Sequence, residues 1–206
     1  MNKLDIVNHM LFTVGEQIQN TLETLHPSVL QALQILDSND DDFQGRGWWF
    51  NTENSTYLEA DGDGFVQVPP GQLSVEVIAQ AGAPIANKAQ YAVRGSKLYD
   101  TVNHTFVIGL ALLTNVVVQQ PIEDLPHNAA TYLKHLAAEA MYTADDGDQV
   151  KMGRLQEKTA LAWHVLKAEE LKVANINALN APAAAHLRYR MQQGLGSTNP
   201  NRLGGR

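Results

Sequence analysis

The chain contains no cysteine among its 206 residues. Disulfides and thiolate metal centres are therefore excluded, and the composition suits folding in a reducing cytoplasm. No stretch approaches the roughly 18 uninterrupted apolar residues that a helical membrane span requires. Met1-Asn-Lys-Leu-Asp-Ile also lacks the basic-then-apolar layout of a secretory signal. Charged residues are scarce, at 18%, where about a quarter is usual; a surface partly covered in an assembly needs fewer. Basic residues are the scarcest, 15 against 22 acidic, for a net charge of -7. Residues 175–206 hold Arg188, Arg190, Arg202 and Arg206 and no acid, so the other eleven basic residues stand against all 22 acids, a net of -11. A body of that sign repels duplex phosphates, which argues against a conventional DNA-binding face.

Signatures of chemistry are missing as well. His9, His26, His104, His127, His135, His164 and His186 show neither His-x-x-x-His nor His-Glu-x-x-His spacing. His127 and His135 stand two helical turns apart, too far to share a metal without a further ligand. The acidic clusters Asp40–Asp42, Asp61/Asp63 and Asp145/Asp146/Asp148 invite a calcium reading. An EF-hand loop starting at Asp37 would need Gly where Asp42 stands and Glu where Trp48 stands, so the pattern fails. The acids are better read as solvated loop residues. No Gly-x-Ser-x-Gly elbow, P-loop or dinucleotide fingerprint is present. The sequence thus predicts no catalytic residue, no cofactor and no metal site.

What is present is a core: 44% of the residues are hydrophobic, enough for one compact domain with a subdomain. Leu4, Val7, Met10, Leu11 and Val14 recur at helical spacing over residues 3–14, and Gly15 can end the turn. A second helix fits from Pro27 or Ser28 to about Phe43, with Val29, Leu30, Leu33, Leu36 and Phe43 inward, and Gly45 and Gly47 break it. The periodicity then changes to alternation. β-prone runs fall at 48–51, 55–58, 65–68, 73–79, 91–94, 97–99, 105–108 and 113–119, punctuated by Gly-, Pro- and Asn-containing turns. Asp61-Gly-Asp-Gly64 reads as a hairpin tip. Arg94-Gly-Ser-Lys-Leu-Tyr-Asp100 reads as a tight hairpin with Gly95 in the turn and Leu98 buried.

Helices return at Asp124-Leu-Pro126, with Pro inside the first turn and a stripe of Leu133, Leu136, Ala137, Ala140 and Met141. Asp148 suits the start of a fourth helix, where the dipole favours negative charge. That helix runs to about Ala174 through Leu155, Ala162, Val165, Leu166 and Val173. The expected fold is α+β. Residues 1–47 and 120–174 form a four-helix bundle, residues 48–119 form an antiparallel β subdomain inserted between helices two and three, and residues 175–206 form an extended C-terminal arm.

Arg46-Gly-Trp-Trp-Phe-Asn-Thr is the most distinctive segment. As a strand it would send Trp48 and Phe50 to one face, plugging the helix–sheet junction with Arg46 and Gly47 beside them. Trp49 would point the other way, a candidate for a subunit interface. Arg46 suits either a pair across that boundary or plain solvation. This segment resembles the turn into the sheet in the tail tubular protein A family of short-tailed bacteriophages. The resemblance continues in order through Phe65-Val-Gln-Val-Pro69, Leu73-Ser-Val, Val93-Arg-Gly-Ser-Lys-Leu-Tyr-Asp100, Asn103-His-Thr-Phe106 and Pro121-Ile-Glu-Asp-Leu-Pro126. It covers roughly residues 4–145 and is weakest over 175–206.

The resemblance implies a structural virion protein without enzymatic activity. About twelve copies would form an adaptor ring between the portal protein and the nozzle, tail tubular protein B. DNA would pass through the channel without specific binding, helped if acids line it, and no membrane is involved. The helical part and the arm would face the portal, and the β part the rest of the tail. In the arm, Leu187, Tyr189, Met191 and Leu195 would anchor on the portal while Arg188 and Arg190 meet acids, ordering on contact. The alternatives from other classes are a small tail hydrolase acting on cell-envelope polysaccharide and a monomeric host-modifying protein.

Overall fold

The computed structural model describes residues 1–23, 26–80, 83–84, 90–144 and 148–173. By compactness the chain divides into Met1–Lys167 and Ala168–Arg206. The helices and sheet belong to the first unit; of the second, only residues 168–173, the end of one helix, are described.

Two helices open the chain, α1 (Lys3–Val14) and α2 (Pro27–Gln44). The side chain of Asn2 accepts from the Asp5 amide at 2.7 Å while Asp5 returns a bond to the Asn2 amide at 3.1 Å, a reciprocal cap for two otherwise unpaired donors. Gly15 closes α1 in the left-handed conformation, φ 88°, as its position predicts. The strands are β1 (Thr52–Leu58), β2 (Gln72–Gln80), β3 (Ala83–Pro84), β4 (Tyr91–Arg94), β5 (Lys97–Asp100) and β6 (Leu112–Val118). After a short 3-10 turn, Ile122–Asp124, come α3 (His127–Ala144) and α4 (Gln149–Val173). The α+β class and the sheet placed between the second and third helices are therefore as expected.

β1, β6, β2 and β3 form one antiparallel sheet in that order, and β4 and β5 form a separate hairpin. The hairpin turns through Gly95, φ 64°, and Leu98 is buried, both as the turn chemistry predicts. Asp61 accepts from the Phe65 amide at 2.9 Å and makes a tight turn of Asp61-Gly-Asp-Gly64. Those bonds, that to the Phe65 amide foremost, hold its carboxyl below the usual carboxylate range. Asp100 does the same work for the loop that follows β5, accepting from the Val102 and Asn103 amides at 2.8 and 2.9 Å.

Two apolar cores result. The larger joins Ile6, Val7 and Met10 of α1, Val29, Leu36 and Phe43 of α2, Leu133, Ala137 and Met141 of α3, and Ala162 and Leu166 of α4. The smaller gathers Leu58, Val66, Val68, Val77, Tyr91, Leu98 and Leu112 of the β part.

Several elements differ from the pattern reading. Residues 48–51 are a turn, not a strand, and 65–68 and 105–108 are isolated bridges. Pro126 stands just before α3 and its carbonyl accepts from the Ala130 amide at 2.9 Å, so it caps the helix instead of entering its first turn. In α2 the inward stripe is Val29, Ala32, Leu36, Asp40 and Phe43, leaving Leu30 outside. In α4, Val165 is likewise outside, and Thr159 fills the buried position between Leu155 and Ala162. Asp148 does begin α4, accepting from the Val150 amide at 2.9 Å.

Candidate functional site

The segment that singled itself out in the sequence forms the junction between bundle and sheet. Trp48 is 2% exposed, and its indole N–H donates to the Phe43 carbonyl at 2.8 Å. Its ring meets Phe43 at 5.1 Å, Trp163 edge-on at 5.5 Å, and Phe50 in a parallel stack at 6.3 Å. Trp49 and Phe50 are half-buried and pack against the same helical core. The alternation argument for these three fails because Asn51 turns the chain: its side chain accepts from the Trp48 amide at 2.7 Å and donates to the Gln44 carbonyl at 2.9 Å. The turn puts Trp49 edge-on to Phe50 at 5.2 Å, on the flank of the cluster rather than on the opposite face of a strand. Gly47, φ 72°, lies so close to Val117 that a Cβ would stand 3.1 Å from its methyl. Arg46 is exposed and sits 5.6 Å over the Trp163 ring.

Beneath the aromatics lies a polar clamp that pattern reading missed. Gln44 is fully buried. Its amide nitrogen donates to Asp40 at 2.8 Å and to the Gln120 carbonyl at 2.9 Å, and its amide oxygen accepts from the Gln120 amide at 2.8 Å. One side chain thus ties the end of α2 to the segment that leaves the sheet after β6. Asp40 is buried too, not a solvated loop acid; burial raises its carboxyl above the usual range, against the bond from Gln44. The signal available was positional: Asp40 and Gln44 continue the stripe Val29–Leu36 at helical spacing.

A second unforeseen feature lies where α1, α3 and α4 meet. His9 and His135 stand edge-to-face at 5.6 Å. Burial first, then the charges of Lys134 and Lys158, lowers both imidazoles from their ordinary range, His135 to about 4. Beside them a groove of about 210 Å³ runs between α3 and α4, rimmed by Thr131, His135, Lys158, Leu161 and Val165. Leu161 is 66% exposed. Further exposed apolar groups, Val102, Phe106, Val107 and Leu110, cluster in sequence at the β part, where Phe106 contacts Tyr99 and Arg94 covers the Tyr99 ring at 3.7 Å.

Among the described residues, no three His, Asp or Glu side chains converge as a metal site would require, and no helix is long and apolar enough to cross a membrane. The arm residues Leu187, Arg188, Tyr189, Arg190, Met191 and Leu195 lie outside the described residues. The family model for tail tubular protein matches residues 4–175. A curated relative, tail tubular protein A of Klebsiella phage KP34, is 29% identical over 147 residues, covering 71% of this chain and 75% of the relative. These likenesses point to a structural component and away from an enzyme. A match that runs from α1 through the sheet to the end of α4 places this chain in the tail tubular protein family, as a structural protein of a bacteriophage tail.

Proposed function

We propose that the chain is the subunit of an adaptor ring of about twelve copies, seated between the portal protein and the nozzle and open along its axis for DNA. The observation that carries this reading is the distribution of exposed apolar side chains. Leu30 on α2, Leu161 and Val165 on α4, and Val102, Phe106, Val107 and Leu110 in the β part all face outward. A tail protein that presents apolar groups on both its helical and its β part has partners on both. In this reading the bundle flanks meet neighbouring copies and the β part meets tail tubular protein B. Trp49 adds to the flank contact, and the basic arm, through Leu187, Arg188, Tyr189, Arg190, Met191 and Leu195, grips the portal. The net charge of -7 keeps DNA moving through the channel without being held. Assembly takes place in the host cytoplasm and the product resides in the virion tail.

Native mass spectrometry with and without the portal tests the reading. A portal-dependent shift to about twelve copies per portal is expected, and deletion of residues 181–206 should abolish capture while leaving the far-UV circular dichroism of the remainder intact. A chain that stays monomeric beside the portal overturns the proposal. Normal docking of the truncated chain removes the arm from it.

A further inference from the structure

Resting on the ring reading, the two helix flanks also identify how one copy meets the next. α2 carries Asp37, Asp40, Asp41 and Asp42 and no basic residue. Over its first-unit portion, residues 149–167, α4 carries Lys151, Arg154, Lys158 and Lys167 against the single acid Glu157. In a chain of net charge -7 this is a basic helix on an acidic body. Arg154 and Lys158 are exposed and form no ion pair among the described residues.

The outward residues of the two helices have matching spacings. On α2 the exposed stripe is Leu30, Gln34, Asp37 and Asp41; on α4 it is Arg154, Lys158, Leu161 and Val165. From Leu30 to Asp37 is seven residues and to Asp41 four more; from Val165 back to Lys158 is seven, and to Arg154 four more. At 1.5 Å per residue these steps are about 10.5 Å and about 6 Å along each axis. The same pattern read in opposite chain directions is what an antiparallel helix pair requires. In that register Leu30 meets Val165 and enters the groove beside Leu161 and His135, while Asp37 meets Lys158 and Asp41 meets Arg154. The groove of about 210 Å³ has room for a leucine side chain. Asp37 has an oxygen to spare, because only Oδ1 takes the 2.6 Å bond from Lys3.

We infer that α2 of one copy docks antiparallel onto the α3–α4 groove of the next copy. Leu30 would be the apolar anchor, and Asp37–Lys158 and Asp41–Arg154 the ion pairs. The contact joins two different surfaces, so it repeats head to tail and closes into a ring when the rotation allows. Opposite charges at both positions would set register and direction more than affinity.

Charge reversal tests it on the full-length chain in the presence of the portal. R154D/K158D copies should fail to form rings, and D37K/D41K copies should fail likewise, each with unchanged far-UV circular dichroism. An equal mixture of the two should assemble, because every contact in an alternating ring of even number joins opposite charges. Native mass spectrometry should then read an equal count of the two masses, and a chain with all four substitutions should form rings by itself. Rings from either variant alone at the wild-type level, or a mixture that stays unassembled, overturn this contact. In the first case the adaptor reading survives; wild-type copies that bind the portal singly overturn both.

Discussion

Replacing Gln44 with Met keeps the length and bulk of the side chain and removes all its hydrogen bonds. Three groups lose a partner: the buried Asp40 carboxyl, the Gln120 amide and the Gln120 carbonyl. A bond to a charged group contributes roughly 1.5–3 kcal/mol and a neutral one roughly 0.5–1.5 kcal/mol. Gln120 is only half-buried, so water recovers part of the neutral contributions. The expected loss is therefore about 2–4 kcal/mol, a large part of the roughly 5–15 kcal/mol that holds a domain folded. With a urea slope of about 2 kcal/mol/M, the midpoint should fall by about 1–2 M. Trp48, Trp49 and Trp163 all lie at or beside the junction, so intrinsic fluorescence reports on it directly, and circular dichroism should give a coincident transition. Gln67→Ala, which removes an exposed bond to Asp61 far along the β part, is the control and should shift the midpoint by less than about 0.3 M. A Gln44→Met shift no larger than the control's would refute the idea that this clamp joins the two parts.

Asp40→Asn should stabilise the protein at neutral pH. The folded carboxyl has a raised pKa, so its stability contribution is full below the ordinary carboxylate range and lost as pH rises through the folded value. The gain over wild type should therefore shrink to nothing in acid, as measured by urea midpoints across pH. The histidine pair has the opposite sign. His135 is lowered from 6.5 to about 4, so its contribution is present above 6.5 and lost as pH falls toward 4. His135→Leu should flatten that acid limb in the same titration; an unchanged slope would show that the pair does not govern it. Trp48→Ala should cost about 3–5 kcal/mol, as for a filled aromatic site in a core. Trp49→Ala should cost less than half of that; equal losses in thermal unfolding would contradict the burial difference between them.

Much of the architecture was legible because apolar spacing carries it. α1 with its Gly15 stop, the β4–β5 hairpin and the start of α4 all sit where local chemistry puts them. What could not be read depends on side chains that act against type. Asn51 folds residues 48–51 into a turn by bonding the Trp48 amide, so aromatic residues with strand propensity never enter the sheet. Asp40 and Gln44 look like surface on a hydropathy scale, and their burial is possible because they bond one another and Gln44 also bonds Gln120. Trp163 stands among polar residues of α4 with no apolar stripe to mark it, yet it completes the ring cluster around Trp48. For the candidate surfaces, apolarity marks Leu30 and Val165 for the core. That they face out is what only three-dimensional packing reveals.

The chain crosses from bundle to sheet twice, and the two crossings are neighbours. Thr52 of β1 pairs with Val117 of β6, and the Val118 amide donates to the Asn51 carbonyl at 2.9 Å. In mechanical terms the β part joins the helices through a two-stranded strap, held to the end of α2 by Gln44 on one segment and by Asn51 on the other. Such a strap resists stretching, because covalent chain and ladder bonds share the load side by side. In the ring proposed above, load passing between the helices and the β part of each copy would be shared by both segments of this strap.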